Sequence, residues 1–155
     1  MRRKHPKHVP FNYNKINEYV YLGTNQCCQT HFNSKLLKKG IASDISLEIE
    51  RMDHPIGVKY YLWLPVVDKK SPSKKQLLLG AKAIQACVEN KMKVYVHCQW
   101  GHGRSPALVA AYLILTGMSA NKAMKFVKQK RPEIHLNEAQ KKGLRQFEKR
   151  LINLK

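Results

Sequence analysis

Residues 93–115 read KVYVHCQWGHGRSPALVAAYLIL. A short run of β-favouring residues meets a loop with two glycines, and the loop leads into a stretch that is apolar on nearly every side. A helix made of that last stretch has no face to give to water, so it must lie in the middle of a layered fold. The run before it, KVYVH, reads as a short strand that stops at the loop.

The rest of the chain repeats the alternation. YVYLG at 19–23 reads as a strand, and 34–39 as a short helix stopped by Gly40. A second strand is expected at 41–47, and the β-branched and aromatic GVKYYLWLPV as a third, running to Pro65. After the loop KKSPSKK, Ser73 with Gln76 three residues on forms a capping-box pattern. Leu77, Ala81, Ile84 and Val88 follow on one helical face, with an end near Asn90. Ser119 opens the helix that Pro132 terminates, and Asn137 with Gln140 opens the last, whose inner face carries Leu144, Phe147 and Leu151. Strands separated by helices imply an α/β fold with a central, mainly parallel sheet of four to five strands flanked by helices. The expected organisation is a basic, mobile tail over 1–18 and one domain over 19–155.

A formal net charge of +19 supplies a field that attracts polyanions, nucleic acid or an anionic lipid surface among them, although lysines alternating with apolar positions after Lys122 also fit solvated helix faces. No run of eighteen apolar residues occurs, so no membrane insertion is expected. The basic N-terminus lacks an apolar core behind it, which predicts a cytoplasmic, intracellular chain. The cysteines at 27, 28, 87 and 98 have neither disulfide-scaffold nor zinc-site spacing, so reduced thiols and no metal are expected, with Cys87 a small buried hydrophobe. Nothing in the sequence sets an oligomeric state.

The chemistry concentrates at Cys98. It ends a strand, and Gln99, Trp100, Gly101, His102 and Gly103 lead to Arg104 at the start of a helix. Two glycines let such a loop curl so that successive N–H groups point inward, and the helix adds its unsatisfied amides and the positive end of its dipole. Together they make an anion cradle the size of a phosphate. The same field favours the thiolate of Cys98, while Arg104 supplies two parallel donors to two oxygens. Ser105 can donate its hydroxyl to the sulfur, and His97 is placed to orient the loop from beneath. The other cysteines have Asn33, Ser34 and Lys93 six residues on, so Cys98 alone completes a Cys-x5-Arg spacing.

The segment His97-Cys-x5-Arg-Ser resembles the phosphate-binding loop of the cysteine-dependent protein tyrosine phosphatases, most of all their small dual-specificity branch. The likeness extends from about Tyr19 to Phe147 and includes YVYLG and LPVVD. It implies a single-domain phosphatase fold and a cofactor-free, metal-independent mechanism through a phosphocysteine. Expelling an alkoxide or phenoxide demands a proton donor. The resemblance puts it at Asp68, thirty residues before Cys98, where the family carries its acid on a mobile loop. Two readings of Gln140 stand, a water-positioning residue as in some relatives or simply the partner of Asn137 in a cap. Trp100 and His102 replace the small aliphatic residues common in this loop, either to line the rim or to pack outward.

The expected substrate is a phosphorylated protein, at phosphotyrosine first, with phosphoserine and phosphothreonine as further candidates, in a shallow pocket. Phosphoinositide or RNA 5′-phosphate substrates are alternatives within the same chemistry. A silent phosphate-binding module and a sulfurtransferase of the rhodanese type are alternatives outside it.

Overall fold

The computed structural model describes residues 9–26 and 29–154; the basic residues before them, Cys27 and Cys28 lie outside the described residues. Strands β1 (Tyr13–Lys15), β2 (Val20–Gly23), β3 (Ile41–Glu48), β4 (Tyr60–Val66) and β5 (Lys93–His97) form one sheet in the order β1-β2-β5-β3-β4. The pairs β2–β5, β5–β3 and β3–β4 are parallel, and only β1 runs antiparallel at the edge. The expected α/β architecture with a mainly parallel, five-stranded sheet is what the chain adopts.

Strand β1 departs from expectation, because it falls within the segment read as a mobile tail. Tyr13, Asn14 and Lys15 pair with Gly23, Leu22 and Tyr21, and Ile16 behind them is buried in the main core. The basic composition of this segment concealed an apolar anchor.

Helices α2 (Lys74–Glu89), α3 (Arg104–Leu115), α4 (Ala120–Lys130) and α5 (Glu138–Asn153) enclose the main core, and the short α1 (Ser34–Lys38) packs in a second cluster. Side chains of a strand alternate between faces. Accordingly Val94 and Val96 of β5 enter the main core with Ile45 and Leu47 of β3, while Tyr95 joins Tyr21, Phe32, Leu36 and Ile41 in the second. Helix α3 is buried from Arg104 through Ile114, as an all-round apolar helix must be. The capping boxes at Ser73–Gln76 and Asn137–Gln140 are both formed, and Ser119 caps α4 through the amide of Lys122. Cys87 is buried and carries a free thiol. Among the described residues no helix is long and apolar enough to cross a membrane.

The parallel strands β3, β4 and β5 share a direction, so their carboxyl ends open on one side of the sheet. Cys98 follows β5 there, Glu50 lies just beyond β3, and Asp68 just beyond β4. In an open α/β sheet this is the place where a ligand is met.

Candidate active site

Cys98 is 2% exposed, and its Sγ lies 3.2 Å from Oγ of the fully buried Ser105. The loop between Cys98 and α3 has its shape fixed by two glycines for different reasons. Gly101 sits at φ +66, and a Cβ there would stand 2.5 Å from the carbonyl oxygen of Gly23. Gly103 has a negative φ of −135; a Cβ there would come within 2.7 Å of the Gln140 amide nitrogen, so a larger residue would have to displace that side chain. Among the described residues no side chain caps α3 at Gly103. The first amides of that helix are therefore left for an anion.

Arg131, which the sequence reading did not single out, holds the loop from behind. It is 1% exposed; its Nε donates to the Gly101 carbonyl at 3.0 Å and its Nη2 to the Trp100 carbonyl at 3.4 Å. Across a trans peptide the C=O and the following N–H point in opposite directions. Drawing these two carbonyls toward Arg131 thus turns the amides of Gly101 and His102 the other way. Nη1 of Arg131 donates to Oδ1 of both Asn12 and Asn14 at 2.7 Å, which ties the loop to β1.

The guanidinium of Arg104 is equally buried, and its donors are divided. Nη1 donates to Glu50 Oε2 and to the Val66 carbonyl, both at 2.8 Å. Among the described residues Nε and Nη2 have no hydrogen-bond partner, although Nη2 has Asp68 Oδ1 at 3.6 Å. The anchored nitrogen fixes the plane, and the other two are the parallel pair that can grip two oxygens of an oxyanion. Burial opposes the guanidinium charge, but the hydrogen bond to Glu50 and the nearby Cys98 sulfur outweigh it and raise its proton affinity. Glu50 had no local signature; its partner lies 54 residues away.

A pocket of about 260 Å³ opens above the sulfur. Cys98, Trp100, His102, Gly103 and Arg104 line it from the loop, Asp68 and Lys69 from the far side of β4. His135, Asn137 and Gln140 close it from the approach to α5. Of the expected phosphate-loop residues, Gln99 and Gly101 do not line the pocket, and neither do Ser105 and His97 behind and beneath the loop. The Gln99 carbonyl instead accepts the backbone N–H of Asn25, and the Gly101 carbonyl accepts from Arg131. Trp100 and His102 both face the rim, and the His102 ring lies 4.8 Å from that of His135.

Asp68 is half exposed at the mouth, and the segment after it is pinned to α5. Asn137 Nδ2 donates to the Lys69 carbonyl at 2.7 Å, and Gln140 Nε2 to that of Lys70 at 3.3 Å. Gln140 is therefore a capping-box partner, as one reading held, and a clamp on the Asp68 loop as well.

His97 lies under the loop on the sheet's second face, fully buried and stacked on Tyr95 with ring centroids 5.5 Å apart. Nε2 is 3.1 Å from Asp44 Oδ1, and Nδ1 is 3.4 Å from Glu48 Oε1. The carboxylates lie off the line of the ring N–H bonds, so these contacts are ionic more than directed. Burial alone would discharge the ring, yet Asp44 and then Glu48 override it and push the His97 pKa to about 10. An imidazolium under the loop is the result. Asp53 adds a third carboxylate 3.8 Å from Nε2, itself paired with Arg51 at 2.8 Å. None of these acids was visible as a partner in the sequence.

The family model for the dual specificity phosphatase catalytic domain matches residues 20–150. Putative tyrosine phosphatase 123R of Invertebrate iridescent virus 6 is 33% identical over 137 residues, covering 87% of this chain and 91% of that protein. Laforin of Mus musculus is 36% identical over 80 residues, which is 50% of this chain and 24% of laforin, so the chain answers to about a quarter of that relative. Among solved structures, PTPMT1 superposes with a TM-score of 0.79 at 26% identity, covering 92% of this chain and 97% of that one. Human DUSP28 shares the fold, with a TM-score of 0.80.

Proposed function

The chain belongs to the dual-specificity phosphatase family, and on that premise we propose that it hydrolyses phosphomonoesters of proteins, phosphotyrosine first, through a phosphocysteine at Cys98. The observation that carries this reading is the joint placement of the Cys98 sulfur, the two open donors of Arg104 and the Asp68 carboxyl around one pocket.

With the phosphoryl oxygens held by the loop amides and by Nε and Nη2 of Arg104, the Cys98 thiolate attacks phosphorus in line with the ester oxygen. The S–P bond forms as the P–O bond breaks, and the leaving oxygen takes the proton of Asp68. In the second step the Asp68 carboxylate accepts a proton from water, whose oxygen attacks phosphorus. The S–P bond breaks, and the sulfur departs as a thiolate that receives the Ser105 hydroxyl hydrogen bond across 3.2 Å. Gln140 lines the pocket and keeps one Nε2 proton beyond its bond to the Lys70 carbonyl, which supports a role in orienting that water. The charged His97 beneath the loop and Arg131 behind it hold the cradle in shape before substrate arrives.

The deciding experiment is Cys98→Ser. Turnover of an aryl phosphate should vanish while inorganic phosphate still binds, and mass spectrometry of quenched wild-type enzyme should find a phosphate adduct on Cys98. Appreciable turnover by the serine variant would rule out the covalent route.

A further inference from the structure

Beside the catalytic pocket lies a second hollow of about 380 Å³, walled by α4 and the segment that leads into α5. His135 lines both, so the two adjoin. The floor of the second is aliphatic: Met124, Ile134 and Leu136. Its rim carries Lys125, Lys128 and Lys141. Lys128 is fixed in place, because Nζ donates to the carbonyls of Pro132 and Ile134 at 2.6 Å each, which leaves one of its three protons outward. Lys141 has Glu138 at 3.3 Å, and Lys125 has no acid within salt-bridge distance among the described residues. Three lysines against one glutamate leave a local excess of two positive charges over an apolar floor.

Resting on the phosphatase reading of the neighbouring pocket, we infer that this hollow is a specificity subsite, and that it takes an aliphatic side chain of a phosphorylated polypeptide together with acidic residues next to it. The floor supplies the contact for the aliphatic group, and the rim complements the acidic ones. A nucleic acid would bring bases that need a ring to stack on, and the one ring here, His135, is already set against His102. The charge excess of the whole chain, which by itself names no partner, thereby acquires a local role. It selects the flanks of the phosphorylated residue.

The test uses two phosphotyrosine peptides that differ only in flanking residues, one pairing leucine with aspartate and glutamate, the other pairing leucine with lysines. Binding is read by fluorescence anisotropy on Cys98→Ser, which needs no turnover, and kcat/KM on the wild type. The acidic peptide should be preferred about fivefold or more at low ionic strength, the scale of two exposed ion pairs, and the preference should shrink with salt. The double variant Lys125→Glu/Lys141→Glu should abolish or invert the preference. Its turnover of a small aryl phosphate, which does not reach the hollow, should stay within twofold of wild type, which also shows that the variant folds. Equal binding of the two peptides, or an unchanged preference in the double variant, would overturn the subsite. So would tighter binding of 5′-phosphorylated RNA or of phosphoinositide vesicles, lost on the same double variant. If the serine variant shows the peptide preference while the wild type turns over no phosphate ester, the subsite stands and the phosphatase reading falls.

Discussion

Replacing His97 by glutamine would remove the cation that, among the described residues, faces Asp44 and Glu48 in a fully buried setting. Deleting one partner of such a pair leaves an uncompensated buried charge, which costs roughly 3–5 kcal/mol. The dependence on pH is more diagnostic than the size. The folded pKa of about 10 lies above the ordinary 6.5, so protonated His97 contributes stability that is fully present below pH 6.5 and is lost as pH rises through 10. Within that window the loss runs at about 1.4 kcal/mol per pH unit, so somewhat under ~3 kcal/mol is lost from pH 7 to pH 9. The glutamine variant lacks this loss. The stability gap between the two proteins should therefore narrow from about 4 kcal/mol at pH 7 to about 1 kcal/mol at pH 9.

Thermal unfolding monitored by circular dichroism reads this directly. At roughly 2–4 °C per kcal/mol for a domain of this size, the difference in Tm should close by about 5–11 °C across those two pH units. Groups common to both proteins, such as the Cys87 thiol that burial pushes up, cancel in the comparison. Curves that stay parallel from pH 7 to pH 9 would refute the reasoning, because they would mean that His97 binds the same number of protons folded and unfolded. The imidazole carbon shifts in an NMR titration would then have to show a neutral ring under the loop.

Two shorter predictions concern the catalytic pocket. Asp68→Ala should lower turnover of a phosphotyrosine peptide about 100-fold while barely slowing an activated aryl phosphate, whose leaving group needs no proton; equal losses on both substrates would assign the acid elsewhere. Gly101→Ala should cost at least about 1–2 kcal/mol, since the alanine must hold φ +66 and its Cβ would press on the Gly23 carbonyl oxygen. A wild-type urea midpoint for that variant would show that the loop has another conformation.

How much of this could be read from the sequence depends on how far apart the partners lie along the chain. Caps and loops close over three to six residues, so Ser73–Gln76, Asn137–Gln140 and the Cys98–Arg104 loop announce themselves by spacing alone. The all-round apolar helix after the loop was equally legible, because periodicity is a local property. Strand β1 was not. It has three residues, and what holds its side of the loop is Arg131, more than a hundred positions later. Asp44 and Glu48 were hidden for the same reason. Asp44 lies inside the strand expected at 41–47 and Glu48 one residue past it, and the residue that makes them affordable is His97 on the neighbouring strand.

The same separation explains how the loop is built. Its chemistry is local, but its rigidity comes from opposite sides of the sheet. Arg131 pulls two of its carbonyls toward β1, and the imidazolium of His97 is locked under it by acids from β3. Glu50 fixes the plane of Arg104 from beyond β3, while Asn137 and Gln140 pin the segment behind Asp68 from α5. Each support is a polar contact between residues far apart in the chain, so it forms only when the whole sheet has assembled. The loop sequence alone, moved to a different scaffold, would keep the cysteine and the arginine but lose the orientation that lets them act on one phosphorus. Preorganisation of this kind is what turns a Cys-x5-Arg spacing into a site that can stabilise a transferring phosphoryl group.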